Sequence, residues 1–240
     1  MKTLLLIPTL LAEDSPIADN FPAGQLLAVS GVRHFFVENE KSARRFLKQI
    51  YPTIDFSQIA LCCIGKHADE FDIQRFFDHY PAAQQFGVLS EAGYPCIADP
   101  GNSVVRYAHK MGMRVQPLIG PCSIFMVLAA SGLNGQNFSF EGYLPIDKAT
   151  CRAQLLNWQK QILQSGKSFL FIETPFRNVS TFNLLLQTLQ PQLQLCVGCE
   201  LTSPQAWIST RSIAHWRDSD ASAIASFHKK NCIFVLGLHA

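Results

Sequence analysis

The sequence lacks several features that would place a protein quickly in one class. Neither sign of charge dominates, because 20 Lys and Arg residues stand against 18 Asp and Glu residues and leave a net charge of +2. A dedicated nucleic-acid-binding domain usually carries a far larger basic excess, so any contact with RNA has to be local. No run reaches the roughly 18 apolar residues that a membrane span needs. We therefore expect a cytoplasmic protein without membrane contact.

Common ligand-binding and catalytic motifs are also missing. The chain has neither the G-x-G-x-x-G motif of dinucleotide sites nor the G-x-x-x-x-G-K-[ST] motif of triphosphate sites. Their absence disfavours a dinucleotide or ATP and favours a ligand with little phosphate. There is no G-x-S-x-G sequence, and no H-x-x-x-H pair offers metal ligands. The sequence therefore predicts no metal site.

The eight cysteines do not predict a disulfide framework, which is typical of short secreted domains. Cys196 and Cys199 form a single C-x-x-C within an apolar run, and no second C-x-x-C completes a zinc site. We expect buried, reduced thiols, with a redox or metal role of this pair as the alternative.

Short apolar segments alternate with amphipathic segments in the first half of the chain. The predicted strands are residues 4–7, 32–37, 59–64, 86–89 and 114–118. Strands this apolar are typical of a sheet that is covered on both faces. Between them, spacings such as that of Ala43, Phe46, Leu47 and Ile50 predict helices. Together they predict a mainly parallel sheet with helices on both faces.

The second half has fewer helices for each strand, which predicts a mixed sheet. The predicted elements are a helix at residues 148–164 and strands at 168–173, 195–199, 207–210 and 233–238. Residues 124–130 are apolar all round and predict a buried helix, and Thr174 is a predicted helix cap. We therefore predict two α/β domains, residues 1–119 and 120–240.

Two loops rich in glycine and proline each follow a predicted strand and open a helix. They are residues 98–103 (ADPGNS) and 120–123 (GPCS). Such loops bring bare backbone against a small ligand, beyond the carboxyl ends of the strands. The Asp99 carboxylate and the backbone amides could hold polar groups of that ligand. The alternative is a turn with Asp99, Asn102 or Ser103 as helix cap, and both interpretations can hold together.

Several charged residues have two interpretations each. The cations of one predicted helix are either a nucleic-acid contact or a solvated face; they are Lys41, Arg44, Arg45 and Lys48. Glu173, at the end of a predicted strand, is either a general base or a structural carboxylate.

Several motifs together carry a resemblance to a known family. They are residues 91–101 (EAGYPCIADPG), 118–123 (LIGPCS), 138–145 (FSFEGYLP) and 171–177 (FIETPFR). In these motifs and their order the chain resembles the tetrapyrrole-methylase superfamily, whose members use S-adenosylmethionine (SAM). It is most similar to the branch that methylates the ribose 2′-hydroxyl of a cytidine in small-subunit ribosomal RNA. The resemblance implies a two-domain α/β homodimer with SAM in the cleft between the domains.

The resemblance also implies roles for individual residues. The cofactor-binding residues would be Asp99, Pro100, Gly101, Ser123, Leu144, Thr174 and Pro175. The RNA-binding residues would be Lys41, Arg44, Arg45 and Arg177. Because a ribose hydroxyl is a weak nucleophile, it needs a proton acceptor, for which the candidates are Glu173 and Glu38.

The chain departs from the family pattern at two places. Thr9 follows Pro8 where the family has a glycine-bearing loop, and residues 203–207 (SPQAW) replace a segment with a lysine and glutamates. Three functions therefore remain open: methylation of rRNA ribose, methylation of a small molecule such as a tetrapyrrole, and SAM binding without catalysis.

Overall fold

The structure, a computed structural model, describes residues 1–65, 70–218 and 226–239. The chain divides into two compact units, Met1–Cys122 and Ser123–Ala240, called here the N-terminal and C-terminal units. Each unit is built on its own five-stranded sheet.

The N-terminal sheet consists of five parallel strands. They are β1 (Thr3–Ile7), β2 (His34–Val37), β3 (Ala60–Cys63), β4 (Gln85–Leu89) and β5 (Arg114–Pro117). Their order across the sheet is β3-β2-β4-β1-β5, and every ladder is parallel. The predicted parallel sheet is confirmed, and only strand ends differ from the prediction.

Helices cover both faces of this sheet. They are α1 (Ile17–Asn20), α2 (Ala23–Ser30), α3 (Glu40–Ile50), α4 (Glu70–His79) and α5 (Asn102–Lys110), with a 3₁₀ turn at Phe56–Gln58. Successive residues of a strand point to opposite faces. Phe35 of β2 packs in a hydrophobic cluster that includes buried residues of α3. Phe36 packs in a second cluster, which includes buried residues of α4 and α5. Helices α3 and α5 therefore lie on opposite faces, which confirms the prediction of helices on both faces of the sheet.

The C-terminal sheet is mixed, which confirms the prediction. Its strands are β6 (Phe138–Tyr143), β7 (Ser168–Glu173), β8 (Gln194–Cys199), β9 (Trp207–Ser212) and β10 (Cys232–Gly237). The order is β6-β7-β10-β8-β9, in which only β6 and β7 pair in parallel. The helices described here are α6 (Ser123–Ser131), α7 (Lys148–Ser165), α8 (Asn178–Thr188) and α9 (Ile213–Arg217).

Two expectations for the C-terminal helices are wrong. Helix α6 is not buried all round, because Phe125 is 57% exposed, although Val127 packs closely over Gly198 of β8. Thr174 does not cap α8, which begins at Asn178. Instead, the Thr174 carbonyl accepts a hydrogen bond from the Arg177 N–H at 2.9 Å, which closes a turn before the helix.

The C-x-x-C pair is divided between the two faces of β8. Residues three apart on a strand point to opposite faces, so Cys196 and Cys199 cannot share a metal or a disulfide. Cys199 packs in the hydrophobic cluster of the C-terminal unit and lies opposite Cys232 in the ladder. Across the described ranges, no three or more His, Cys, Asp or Glu side chains are placed so that they could hold a metal ion. In the same ranges, no helix combines the length and apolar character that crossing a membrane requires.

Candidate functional site

The carboxyl ends of β2 and β4 lie side by side in the N-terminal sheet. The helices that follow these two strands lie on opposite faces of the sheet. Strand β2 leads to α3 on one face, and β4 leads to α5 on the other. Val37 lies opposite Leu89 at the ends of these strands, so Glu38 and Ser90 leave the sheet side by side. Ligands of open α/β sheets bind at such topological switch points.

Three carboxyl groups, those of Glu38, Glu91 and Asp99, interact at this switch point. Burial, followed by the negative charges of Glu38 and Glu91, raises the pKa of Asp99 from 3.8 to about 7. The hydroxyl of Ser42 on α3 donates a hydrogen bond to Glu91 Oε1 at 2.6 Å and so fixes one member of the group. A nearby positive charge would favour the ionised acids, so this acidic group is electrostatically complementary to a cationic ligand.

Among the described residues, neither a helix cap nor a hydrogen bond explains the position of the Asp99 side chain. Helix α5 has Gly101 as its N-cap residue, and no side chain caps it, so the expectation of a cap by Asp99, Asn102 or Ser103 is wrong. Within residues 1–65, 70–218 and 226–239, the Asp99 carboxyl accepts no hydrogen bond. A half-buried acid with a raised pKa and no structural partner is typical of a functional group.

The loop from β4 to α5 has a strained backbone. Positive φ angles occur at Gly93 (77°), Cys96 (68°), Ala98 (62°) and Gly101 (125°). For Cys96 and Ala98 the left-handed conformation costs about 1–2 kcal/mol each, because Cβ approaches the following carbonyl oxygen. Strain of this kind persists only where the surroundings impose it, and it concentrates at functional sites.

Hydrogen bonds hold this loop against its neighbours. The Gly93 carbonyl accepts from the Thr9 N–H at 2.8 Å and from the Ser90 hydroxyl at 2.6 Å. Thr9, which follows Pro8, is buried, and its hydroxyl lies 3.2 Å from that of Ser90. The Tyr94 hydroxyl donates to the Leu118 carbonyl at 3.0 Å. The loop after β4 is therefore tied to the chain segments that follow β1 and β5.

Glycine in these loops serves packing within the N-terminal unit. A Cβ on Gly101 would lie 2.8 Å from Cys96 Sγ and 3.1 Å from Val88 Cγ1, and one on Gly120 would lie 2.6 Å from Pro8 Cβ. The absence of these side chains therefore needs no ligand to explain it. The half-buried carboxyl of Asp99 remains the distinctive chemical group of the loop.

In the C-terminal unit, the remaining predicted cofactor residues lie mainly at one corner. Thr174 and Pro175 form the turn after β7, and the Leu144 side chain is buried in the hydrophobic cluster. Arg177 Nη2 donates to the carbonyls of Leu144 at 3.3 Å and Pro145 at 3.2 Å. The structure therefore brings Leu144, Thr174 and Pro175 together around Arg177. Ser123 is the first residue of α6.

Glu173 supports this corner from the end of β7. Its carboxylate is fully buried and accepts from the Thr174 N–H at 2.8 Å and the Thr181 hydroxyl at 2.7 Å. Arg177 Nη2 lies 3.0 Å from Glu173 Oε2. Both carboxylate oxygens are thus engaged within the unit, and Arg177, predicted to bind RNA, links Glu173 to the Leu144 loop.

The basic side chains of α3 largely have partners within the N-terminal unit. Arg44 pairs with Glu40 at 3.4 Å and lies over the Phe56 ring, Arg45 pairs with Glu13, and Lys48 donates to a backbone carbonyl. These contacts are consistent with a solvated face, and a role for these residues in RNA binding stays a prediction.

Several known proteins are similar to this chain in sequence. No family model matches the chain. The chain is 32% identical over 136 residues to "Ribosomal RNA small subunit methyltransferase I" of Vibrio cholerae, covering 57% of this chain and 46% of that protein. It is 28% identical over 180 residues to the protein of the same name from Pseudomonas aeruginosa, covering 75% and 62%. The chain thus spans between about half and three fifths of the length of these relatives.

Two solved structures share the architecture of the chain. The methyltransferase CobJ superposes with a TM-score of 0.61 at 13% identity, over 99% of this chain and 94% of CobJ. Uroporphyrin-III-C-methyltransferase from Thermus thermophilus gives 0.55 at 12% identity, over 99% and 94%. At these identities the comparison concerns the fold alone.

The parallel N-terminal sheet and the mixed C-terminal sheet define the two-domain α/β fold of the tetrapyrrole methylases, which confirms the predicted fold class. Within that class, the sequence relatives carry the name of a small-subunit rRNA methyltransferase. The predicted resemblance to small-subunit rRNA methyltransferases is confirmed in sequence, and the solved structures confirm the predicted fold.

Proposed function

We propose that the chain is a SAM-dependent methyltransferase that modifies a ribose 2′-hydroxyl of small-subunit rRNA. One observation carries the cofactor assignment: the Asp99 carboxyl, with a pKa of about 7, stands at the switch point of the N-terminal sheet and accepts no hydrogen bond from the residues that the structure describes. The similarity to proteins named as small-subunit rRNA methyltransferases supports methyl transfer to RNA. We also expect a homodimer in the cytoplasm.

The chemistry of SAM fits the residues at this site. SAM has a positively charged sulfonium and no phosphate, which agrees with the acidic group of Glu38, Glu91 and Asp99 and with the missing P-loop. When bound, it supplies an activated methyl group, so the protein mainly has to position the acceptor and exclude water. Asp99, Pro100 and Gly101 would hold it in the N-terminal unit, and Ser123, Leu144, Thr174 and Pro175 in the C-terminal unit.

The contacts of Glu173 and the position of Glu38 favour Glu38 as the group that accepts the ribose proton. Both oxygens of Glu173 are engaged by Thr174, Thr181 and Arg177, and its side chain is fully buried. Glu38 is only half-buried and lies near Asp99 at the switch point. Within this proposal Glu173 positions the Leu144 loop through Arg177, and Glu38 faces the reaction.

Titration calorimetry with SAM, followed by transfer of a radioactive methyl group to small ribosomal subunits, tests the proposal. We expect SAM to bind and the label to enter the rRNA as a 2′-O-methylated nucleoside. Binding followed by transfer to a tetrapyrrole precursor, with none to rRNA, would replace the RNA substrate by a small molecule. Binding without transfer to either would indicate a SAM-binding protein that is not an enzyme.

A further inference from the structure

At the corner between β7 and α8, the aromatic side chain of Phe176 lies in solvent. Its side chain is 77% exposed, although it lies between Pro175 and Arg177, whose contacts fix the local backbone. The ammonium group of Lys229 lies 6.0 Å from the centre of the Phe176 ring. A cation at this distance is attracted to the face of an aromatic ring. The ring is thus held in solvent with a positive charge beside it.

The segment that carries Lys229 is held firmly against the same corner. The Lys229 N–H donates to the Pro175 carbonyl at 3.2 Å, and Lys229 adopts a left-handed φ of 58°. The amide nitrogen of Asn178, a fully buried residue, donates to the carbonyls of Phe227 at 3.1 Å and Lys230 at 2.6 Å. These contacts pre-organise the pair of Phe176 and Lys229 before any partner arrives, which reduces the entropy cost of binding.

Two adjacent lysines, Lys229 and Lys230, lie in this segment. His228 and Lys229 are exposed and adjacent in the chain, and Lys230 is half-buried beside them. In the described part of the chain, no carboxylate lies within ion-pair distance of Lys229. The cations of α3 differ, because Arg44 and Arg45 are paired with glutamates. No carboxylate of the described residues therefore competes with a phosphate group for the charge of Lys229.

We propose that Phe176 and Lys229 form a contact site for single-stranded RNA, with a nucleobase stacked on the Phe176 ring and a neighbouring phosphate bound by Lys229. Stacking on aromatic side chains is the usual way in which proteins hold unpaired bases, since every base offers an apolar face. A paired duplex has no free base face, so the proposal specifies an unpaired or extruded nucleotide. This inference rests on the proposed action on RNA and names part of its substrate surface.

Fluorescence anisotropy with a labelled single-stranded RNA of about 12 nucleotides tests this site. Phe176→Ala should raise the Kd for RNA about tenfold, which corresponds to the loss of one stacked base, and Phe176→Trp should restore binding. Lys229→Ala should lower the slope of log Kd against log salt by about one, because one phosphate contact is lost. Phe71→Ala is the matched control, since Phe71 is a 67% exposed phenylalanine on α4, and it should leave the Kd unchanged.

Two further measurements separate this inference from the proposed function. The SAM affinity of Phe176→Ala, measured by calorimetry, should equal that of the unaltered protein, and its melting temperature should not change because the ring is exposed. If the unaltered protein binds and methylates RNA while Phe176→Ala does so equally well, the inference is wrong and the proposed function stands. If Phe176→Ala instead changes the oligomeric state in light scattering, the ring contacts a second copy of the chain and the RNA site is refuted.

Discussion

Replacing Asp99 by asparagine should stabilise the protein without ligand and weaken its binding of SAM. Folding raises the pKa of Asp99 from 3.8 to about 7, so the folded protein holds this proton more tightly than the unfolded chain. Stability therefore falls as the pH rises from about 4 to 7 and stays reduced above that range. Asparagine carries no charge and removes this penalty.

The expected change in the free energy of unfolding follows from the shift in the pKa of Asp99. A change from 3.8 to about 7 corresponds to about 4 kcal/mol if fully expressed. Because the Asp99 side chain is only half-buried, screening by water reduces the figure to about 1–2 kcal/mol. Urea unfolding at pH 8 should therefore show a free energy of unfolding higher by about 1–2 kcal/mol for Asp99→Asn. The gain should shrink toward zero as the pH approaches 4.

A matched control and a binding assay complete this test. Asp147 accepts hydrogen bonds from Thr150 at the start of α7, which lower its pKa, so Asp147→Asn should give no gain in stability at pH 8. In calorimetry, Asp99→Asn should bind SAM about tenfold more weakly at pH 8, as expected for the loss of one charge-assisted contact. That disadvantage should shrink at pH 6, where most Asp99 is protonated. The reasoning is refuted if Asp99→Asn is no more stable than the unaltered protein and binds SAM equally well.

Three further substitutions test other parts of the account. Gly101→Ala should lower the free energy of unfolding by about 2–4 kcal/mol in urea titrations, because φ is 125° and the added Cβ meets Cys96 Sγ; unchanged stability would refute the packing argument. Glu173→Gln should cost about 2–3 kcal/mol by leaving Arg177 without its buried partner, and loss of methyl transfer at full stability would instead identify Glu173 as the base. Changing both Arg44 and Arg45 to glutamate should weaken RNA binding and flatten its salt dependence; unchanged binding would leave α3 as a solvated face.

The elements that sequence reasoning recovered are those whose local pattern agrees with their tertiary environment. The three inner strands of the N-terminal sheet, β1, β2 and β4, are short and largely apolar because both faces are covered, and that pattern is visible in the chain itself. Strand β6 was not predicted. Its alternation of Phe138 and Phe140 with polar residues is interrupted by a register shift before Tyr143, and Gly142 has a φ of 69°.

Tertiary contacts also decided details that local signals left ambiguous. The sequence at Thr174 and Pro175 has the pattern of a helix start, yet the helix begins at Asn178 because the preceding residues close a turn that Arg177 and Glu173 stabilise. Helix α6 has a buried face and an exposed face. The sequence does not distinguish them, because the exposed residue Phe125 is apolar. Neither outcome can be read from propensity or hydrophobicity alone.

The sequence motifs suggested the loop that carries Asp99, but not the other acidic side chain, directly after β2, that lies near it. The motif around Asp99 predicts a ligand-binding loop, and that role stays a prediction, while the proximity of Glu38 to Asp99 depends on the order of strands in the sheet. The surface of Phe176 and Lys229 was missed entirely, because these residues are 53 positions apart in the chain and meet only through the fold. A single exposed phenylalanine carries no signal at the level of sequence.

Proton release on SAM binding tests the central claim most directly, namely that the Asp99 carboxyl meets the positive charge of the methyl donor. Titration calorimetry at pH 7 in buffers of different ionisation enthalpy measures the protons exchanged. With a pKa of about 7, Asp99 is about half protonated in the free protein. The unaltered protein should therefore release about half a proton more than Asp99→Asn for each SAM bound. Equal proton exchange in the two proteins, both binding SAM, would contradict the account.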